Sequence, residues 1–301
     1  MTKVTFLGTA GMVPTKERNV QSIYLDYNGE GILLDCGEGT QRQITLAKLN
    51  AQKIKKILIS HWHGDHVLGL PGLIQTIGNF APEGKQLTIY GPEGSKKYFD
   101  NLMNSSVFET KLEINLVELK PKELEIFYET EDYRLLAAPL EHSIPCLGFR
   151  FERKEKIKIL KNKLPKNLTG QLIGKLQSGK SIVFENKTIN SEDVTIIEPS
   201  KSLAFIFDTK LTDACFDIAE EADYLISEAV YTSELEHKAE EYGHLTARQV
   251  AQIASQAGVK NLILTHFSQR YKDISVLESD AKNVFENIIC AYDFLKINLP
   301  F

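Results

Sequence analysis

The sequence predicts an α/β fold in which two facing mixed sheets are covered by helices. Short apolar runs rich in Val, Ile and Leu alternate with helix-like stretches in both halves of the 301-residue chain, a pattern that favours layered α/β packing. The runs in the first half are too many for one parallel sheet. Several of them end on His or Asp, and polar groups at strand ends are where α/β folds commonly build sites.

Residues 4–7 form a short strand that leads into the loop Gly8-Thr9-Ala10-Gly11. Residues 22–26 and 32–35 pair as a hairpin around Asn28-Gly29, a dipeptide suited to a tight turn. Gly37-Glu38-Gly39 is a turn, residues 40–53 a helix and residues 55–60 the next strand. A helix follows over residues 68–80, with Pro71 early in it, where its missing N–H would be unpaired anyway. Residues 86–90 form a strand, residues 95–103 a helix, and several strand-length stretches lie between 111 and 140. In the second half, residues 202–207 form a strand before Asp208, residues 224–227 one before Glu228, and residues 261–265 one before His266. Thr246 N-caps a helix whose Ala247, Val250, Ala251 and Ala254 share one face, with Gly258 as its stop.

Composition suits a full globular core, either as one large domain over residues 1–301 or as one domain with an appendage: 43% of residues are apolar and 25% charged. No apolar run approaches the roughly 20 residues needed to cross a bilayer, and Met1-Thr2-Lys3-Val4 runs straight into a strand. No membrane partner and no secretion signal are therefore expected. The four cysteines (Cys36, Cys146, Cys215, Cys290) are widely spaced with no CxxC pair, as in a cytoplasmic protein with reduced thiols. Net charge is −5, but it is unevenly spread. Residues 153–180 hold nine Lys or Arg and one acidic residue, while the remainder holds 26 basic and 39 acidic. Either this is a solvated face or it is a segment built to meet a polyanion.

The densest chemistry is Ile59-Ser60-His61-Trp62-His63-Gly64-Asp65-His66. A lone histidine is usually a satisfied core or surface residue. Three histidines and a carboxylate together would cost several kcal/mol to bury without a cation. In extended chain His61 and His63 point the same way, and Gly64 permits the turn that Asp65 and His66 need. His142, Asp208 and His266 follow other strands. His61, His63 and His142 would then hold one zinc ion, Asp65, His66 and His266 a second, and Asp208 would bridge the pair. Mn²⁺ and Fe²⁺ accept the same donors. Taken singly, His142 could be a surface pair with Glu141, and Asp208 could cap a helix before Leu211. His237, in an acidic run, reads as plain surface.

At this point the chain resembles the metallo-β-lactamase superfamily and, within it, the ribonuclease Z family. HxHxDH marks only the superfamily. SHWHGDHVLGLPGL (60–73), HSIPCLGFR (142–150) and LTHFSQRY (264–271) are more specific, and FLGTAGMVPTKERN (6–19), LLDCGEGTQRQ (33–43), FDT (207–209), SEA (227–229) and GHLTA (243–247) extend the likeness along nearly the whole chain. The resemblance implies a metallo-β-lactamase-like αββα sandwich, two zinc ions per subunit, no organic cofactor, and removal of the 3′ trailer from precursor tRNA. It implies that Asp65 orients or deprotonates the attacking water, that His244 protonates the leaving 3′ oxygen, and that Glu228 orients His244. An expelled alkoxide independently needs such a donor. The family carries a protruding tRNA-gripping arm at the place of residues 151–195, which implies RNA contacts from Lys154, Lys156, Lys158, Lys161, Lys163, Lys166 and Lys175. It is typically a homodimer in which one subunit's arm holds the tRNA that the other cuts. Phe207, Lys210 and Phe149 stand where the family usually has glycine, arginine and tyrosine. The competing expectation is a general phosphodiesterase or arylsulfatase-like hydrolase of the same fold acting on small esters.

Overall fold

Two seven-stranded sheets face each other, and the computed structural model describes residues 2–301 of the chain. The first sheet runs in the order Lys296–Leu299, Thr2–Gly8, Ser22–Tyr27, Glu30–Leu34, Ile54–Leu58, Gln86–Pro92 and Glu113–Leu119. The second runs Ile288–Cys290, Leu262–Thr265, Tyr224–Glu228, Lys201–Ile206, Cys146–Arg153, Tyr133–Leu140 and Glu125–Glu129. Both are mixed. Antiparallel pairing among the strands around the hairpin Ser22–Tyr27/Glu30–Leu34 gives way to parallel pairing from Glu30–Leu34 onward.

The burial pattern explains the layering. Phe6, Ile23, Leu25, Leu58, Phe149, Phe151, Phe205 and Ile263 fill the space between the sheets. The outer face of the first sheet is covered by helices Thr40–Leu46, Leu70–Asn79 and Ser95–Met103, through Ile44, Leu70, Leu73, Ile74, Ile77 and Phe99. Helices Asp213–Ala219, Ala247–Gln256 and Ser275–Lys282 cover the second through Ile218, Val250, Ile253 and Leu277. Strands buried on both faces read as unbroken apolar runs rather than alternating ones. The result is helix, sheet, sheet, helix. No helix among the described residues is long and apolar enough to cross a membrane.

Strand direction gathers the site. Lys201–Ile206, Tyr224–Glu228 and Leu262–Thr265 are parallel. Tyr133–Leu140 reaches Lys201–Ile206 through two antiparallel steps, so it points the same way. Asp208, Glu228, His266 and His142 therefore emerge at one rim. Ser60 of the first sheet meets that rim directly, its carbonyl accepting the Leu147 N–H at 2.9 Å.

Two expectations need adjustment. The helix placed over 40–53 is two pieces, Thr40–Leu46 and a single 3₁₀ turn Ala51–Lys53. Lys48 turns left-handed (φ 57°), and the Asn50 side chain accepts from Gln52 N–H, a local bond that competes with helix. The protrusion placed at 151–195 begins later, because Cys146–Arg153 is body strand and Phe151 packs between the sheets. Its own pairing is Lys156–Ile159 against Thr195–Glu198. The protrusion also has a core of its own, with Leu176, Ile182 and Val194 buried against Ile159, Leu164, Leu168, Leu172, Phe184 and Ile189.

Candidate metal centre

His61 and His63 leave the strand Ile54–Leu58 in extended chain, with His63 at φ −72°, ψ 152°. Gly64 then opens the short helix Gly64–Val67, which turns Asp65 and His66 inward. Trp62 anchors this loop, its indole N–H donating to Ser95 Oγ at 2.6 Å. His266 sits at φ 53° in the left-handed region, immediately after Leu262–Thr265. That approach needs Gly11, where a Cβ would lie 2.9 Å from the His266 ring. A strained, buried histidine held this firmly is typical of a functional position.

The seven side chains converge as two groups joined by Asp208. His61 Nε2 lies 3.0 Å from His63 Nδ1, and His142 Nε2 lies 3.2 Å from the same atom. Asp208 Oδ2 is 3.7 Å from His61 Nε2. On the other side, His66 Nε2 and His266 Nε2 are 3.2 Å apart, and Asp65 Oδ2 is 3.4 Å from each. Asp208 Oδ1 faces that pair at 3.5 and 3.3 Å. A tetrahedral zinc with bonds near 2.0–2.1 Å has ligand edges of about 3.3–3.4 Å, so both groups are the right size for one ion each.

Electrostatics agree. Asp208 is buried, and its Oδ1 has no hydrogen-bond donor. Burial lowers the affinity of His61 and His63 for protons, leaving both neutral with free lone pairs. His66 behaves oppositely. Burial opposes its charge, yet Asp65, Asp208 and Asp35 raise its proton affinity well above that of an ordinary imidazole. Carboxylates clustered this closely favour positive charge among them.

The groups behind these residues were not assigned from sequence. Asp35 is fully buried and accepts His66 Nδ1–H at 2.7 Å, Ser60 N–H at 2.8 Å and Ser60 Oγ–H at 2.8 Å. It fixes the His66 tautomer so that Nε2 faces the centre, the usual carboxylate–histidine support of a metal ligand. A carboxylate ending the apolar strand Glu30–Leu34 was the available signal, the same one that picked out Asp208. His142 Nδ1 donates to the Gly243 carbonyl at 2.9 Å, and the Met12 N–H donates to Asp65 Oδ2 at 2.7 Å. Backbone partners leave no mark in sequence.

Comparison with known proteins follows the geometry. The family described as "Anti-Pycsar protein Apyc1" matches residues 2–285. The chain is 36% identical to ribonuclease Z of Methanosarcina mazei over 312 residues, covering 100% of this chain and 99% of that one. It is 39% identical to ribonuclease Z of Methanothermobacter thermautotrophicus over 303 residues, covering 99% and 97%. The chain belongs to the ribonuclease Z family. It is an enzyme of that family, and the human tRNase Z, short form, superposes with a TM-score of 0.73 at 28% identity, covering 99% of this chain and all of that one. The metallo-β-lactamase fold protein YhfI of Bacillus subtilis gives 0.70 at 19% identity, covering 98% of each. The fold is therefore the metallo-β-lactamase fold.

Within this family site, a second constellation lies beside the first. His244 Nδ1 is 3.1 Å from Glu228 Oε2 and 3.9 Å from Asp208 Oδ2. Glu228 is wholly buried and its Oε1 accepts the Thr209 N–H at 2.8 Å. Burial disfavours the His244 cation, but Glu228 and Asp208 outweigh it and the group is pushed up to about 9. Asp208, Glu228 and His244 also have the spacing of a metal group. The bond from Nδ1 to Glu228 fixes the orientation of the ring. A cavity of about 1060 Å³ opens over His63, Asp65, His142, Asp208, His244 and His266. Of the departures from the family pattern, Phe207 and Phe149 are buried between the sheets, and Lys210 pairs with Glu141 at 3.6 Å and Glu240 at 3.1 Å.

The arm lysines divide in two. Lys154, Lys156 and Lys158 are tied to Glu129, Asp132 and Glu198 at 2.6, 2.7 and 2.6 Å, so charge at the arm's root is largely neutralised. Lys161, Lys163, Lys166 and Lys175 are exposed beyond it and have no ion pair among the described residues. Lys163 Nζ donates only to the Asp193 carbonyl.

Proposed function

We propose that this enzyme removes the 3′ trailer from precursor tRNA by hydrolysing one phosphodiester, using two zinc ions and leaving a 3′-hydroxyl on the tRNA. The observation that carries the reading is the placement of the His244–Glu228 pair beside the seven-residue His/Asp centre in a chain of this family. His61, His63, His142 and Asp208 would hold one ion, and Asp65, His66, His266 and Asp208 the other. Zinc bound there would supply a nucleophilic water at neutral pH and positive charge against the phosphodiester oxygens, and Mn²⁺ or Fe²⁺ suit the same donors.

The chain's own residues do the rest. Asp65 Oδ2, already fixed by the Met12 N–H, orients the attacking water and takes its proton. His244 is charged at neutral pH and gives a proton to the departing 3′ oxygen. Glu228 keeps its ring aimed and protonated. The exposed lysines of the protrusion grip the RNA backbone by charge and shape rather than sequence, in a homodimer where one subunit's arm serves the other's centre.

A second reading is a general phosphodiesterase or arylsulfatase-like hydrolase of the same fold acting on small esters, because a centre of this kind would cleave those too. A precursor tRNA decides between them. The zinc-loaded protein should cut it once, directly after the discriminator base. Asp65→Ala should abolish the cut while tRNA binding stays within about threefold, and unchanged cleavage by this variant would rule out the mechanism.

A further inference from the structure

The cavity over the centre carries cations of unequal standing. Lys210 is held by Glu141 and Glu240, whereas Lys238 and Arg270 line the cavity with no carboxylate partner among the described residues. Only Arg270 of these two is fixed in place. Its guanidinium lies 4.7 Å from the centroid of the Tyr231 ring, and its Nε–H donates to Ser268 Oγ at 3.1 Å. Tyr231 is itself buried, and its carbonyl accepts the Ala247 N–H at 2.8 Å. The ring is thus a rigid shelf. It holds the planar fork of an exposed arginine while leaving the two terminal nitrogens free. Phosphate is the ligand such a fork matches, since two parallel N–H bonds meet two oxygens.

Position selects the phosphate. The Tyr231 ring centroid is 6.2 Å from that of His244, so Arg270 lies on the side where the leaving 3′ oxygen departs. We propose that Arg270 grips the phosphate one step upstream of the scissile one, on the retained strand, and so sets which linkage faces the centre. This rests on the ribonucleolytic reading above. A role in general attraction alone would be met equally by lysine, and that difference is testable.

The experiment compares the unaltered protein, Arg270→Gln and Arg270→Lys under single turnover. Substrates are a precursor tRNA and the same RNA carrying an uncharged methylphosphonate at that upstream linkage. Arg270→Gln should lower kcat/KM on the native RNA about 10- to 100-fold. The methylphosphonate should cost the unaltered protein a similar factor, and the two losses together should be no larger than either alone. Arg270→Lys should recover only part. Because Arg270 is exposed, the melting temperature should not move. Wild-type cleavage by Arg270→Gln, full recovery by Arg270→Lys, or losses that multiply would each overturn the proposal. Failure of the tRNA reading looks different: the unaltered protein then leaves the native precursor whole.

Discussion

The proposed role of His244 as proton carrier rests on what touches it. Glu228 lies against Nδ1 from a fully buried position, and Asp208 adds a second negative charge. A ring so placed stays charged at neutral pH, which a general acid must. The demand for that proton depends on the leaving group. His244→Ala is therefore expected to lower kcat on precursor RNA by about 10²–10⁴, because an alkoxide is a poor leaving group. On bis(p-nitrophenyl) phosphate the loss should be under about tenfold, since nitrophenolate departs unaided. Steady-state rates on both substrates check this, and equal losses would reassign His244 to metal binding. The residue scale also shows how tightly the two functions are joined. Gly243 turns at φ 71° and offers its carbonyl to His142, so one loop supports a candidate ligand and presents His244 next to it.

At the level of elements, the protrusion is a small folded unit rather than a charged tail. The strand pair Lys156–Ile159 and Thr195–Glu198 forms its stem, and the helix Gly170–Gln177 and the hairpin Ile182–Phe184/Lys187–Ile189 close over Leu176. Its tip hairpin turns through Glu185 and Asn186 at φ 50° and 58°, the left-handed pair of a type I′ turn. The stem suggests a clean excision. Ile159 pairs with Thr195, so an Asn-Gly turn can replace residues 160–194 without disturbing the body. This variant is expected to keep hydrolysing bis(p-nitrophenyl) phosphate at near the original rate while kcat/KM on precursor tRNA falls at least about 100-fold. The slope of log affinity against log salt should also flatten as exposed lysines are lost. Equal losses on both substrates would remove the clamp role. The basic run was legible in sequence; its ion pairing was not. Lys154 and Lys156 meet carboxylates on or beside the body strands Glu125–Glu129 and Tyr133–Leu140, and Lys158 meets Glu198 on the facing strand of the stem.

For the whole molecule, the candidate metal centre depends on two sheets held in fixed relation, since the first leads into His61 to His66 and the second into the other candidate donors. One polar clamp spans them away from the site. Lys56 and Glu30 of the first sheet pair with each other, and the Tyr133 hydroxyl of the second donates to Glu30 at 2.7 Å. Burial pushes the Glu30 carboxyl up, but the Lys56 and Tyr133 bonds outweigh it and hold it below its ordinary 4.5. A lowered folded-state value means that the unfolded chain binds the proton more tightly. Its stabilisation is then complete above the ordinary carboxylate range and drains as pH falls through it. Glu30→Gln should cost roughly 1.5–3 kcal/mol at pH 7, and the gap from the unaltered protein should narrow between about pH 5 and 3. Urea unfolding across that range tests it, and a gap that does not change with pH would remove Glu30 as the titrating group.

By itself the sequence determined the candidate donors and the ends of the strands that carry them. His61 to His66, Asp208 and His266 each follow an apolar run, and burial of such runs leaves little freedom in where they stop. Glycines at turns and the Thr246 cap were equally legible, because their signals are local. Only the tertiary structure decided what stands behind each donor. Asp35 meets His66 across 31 residues, and His142 meets the Gly243 carbonyl across 101. Arg270 meets Tyr231 across two separate loops. Contacts of that kind come from sheet order and strand direction, and no periodicity along the chain records them.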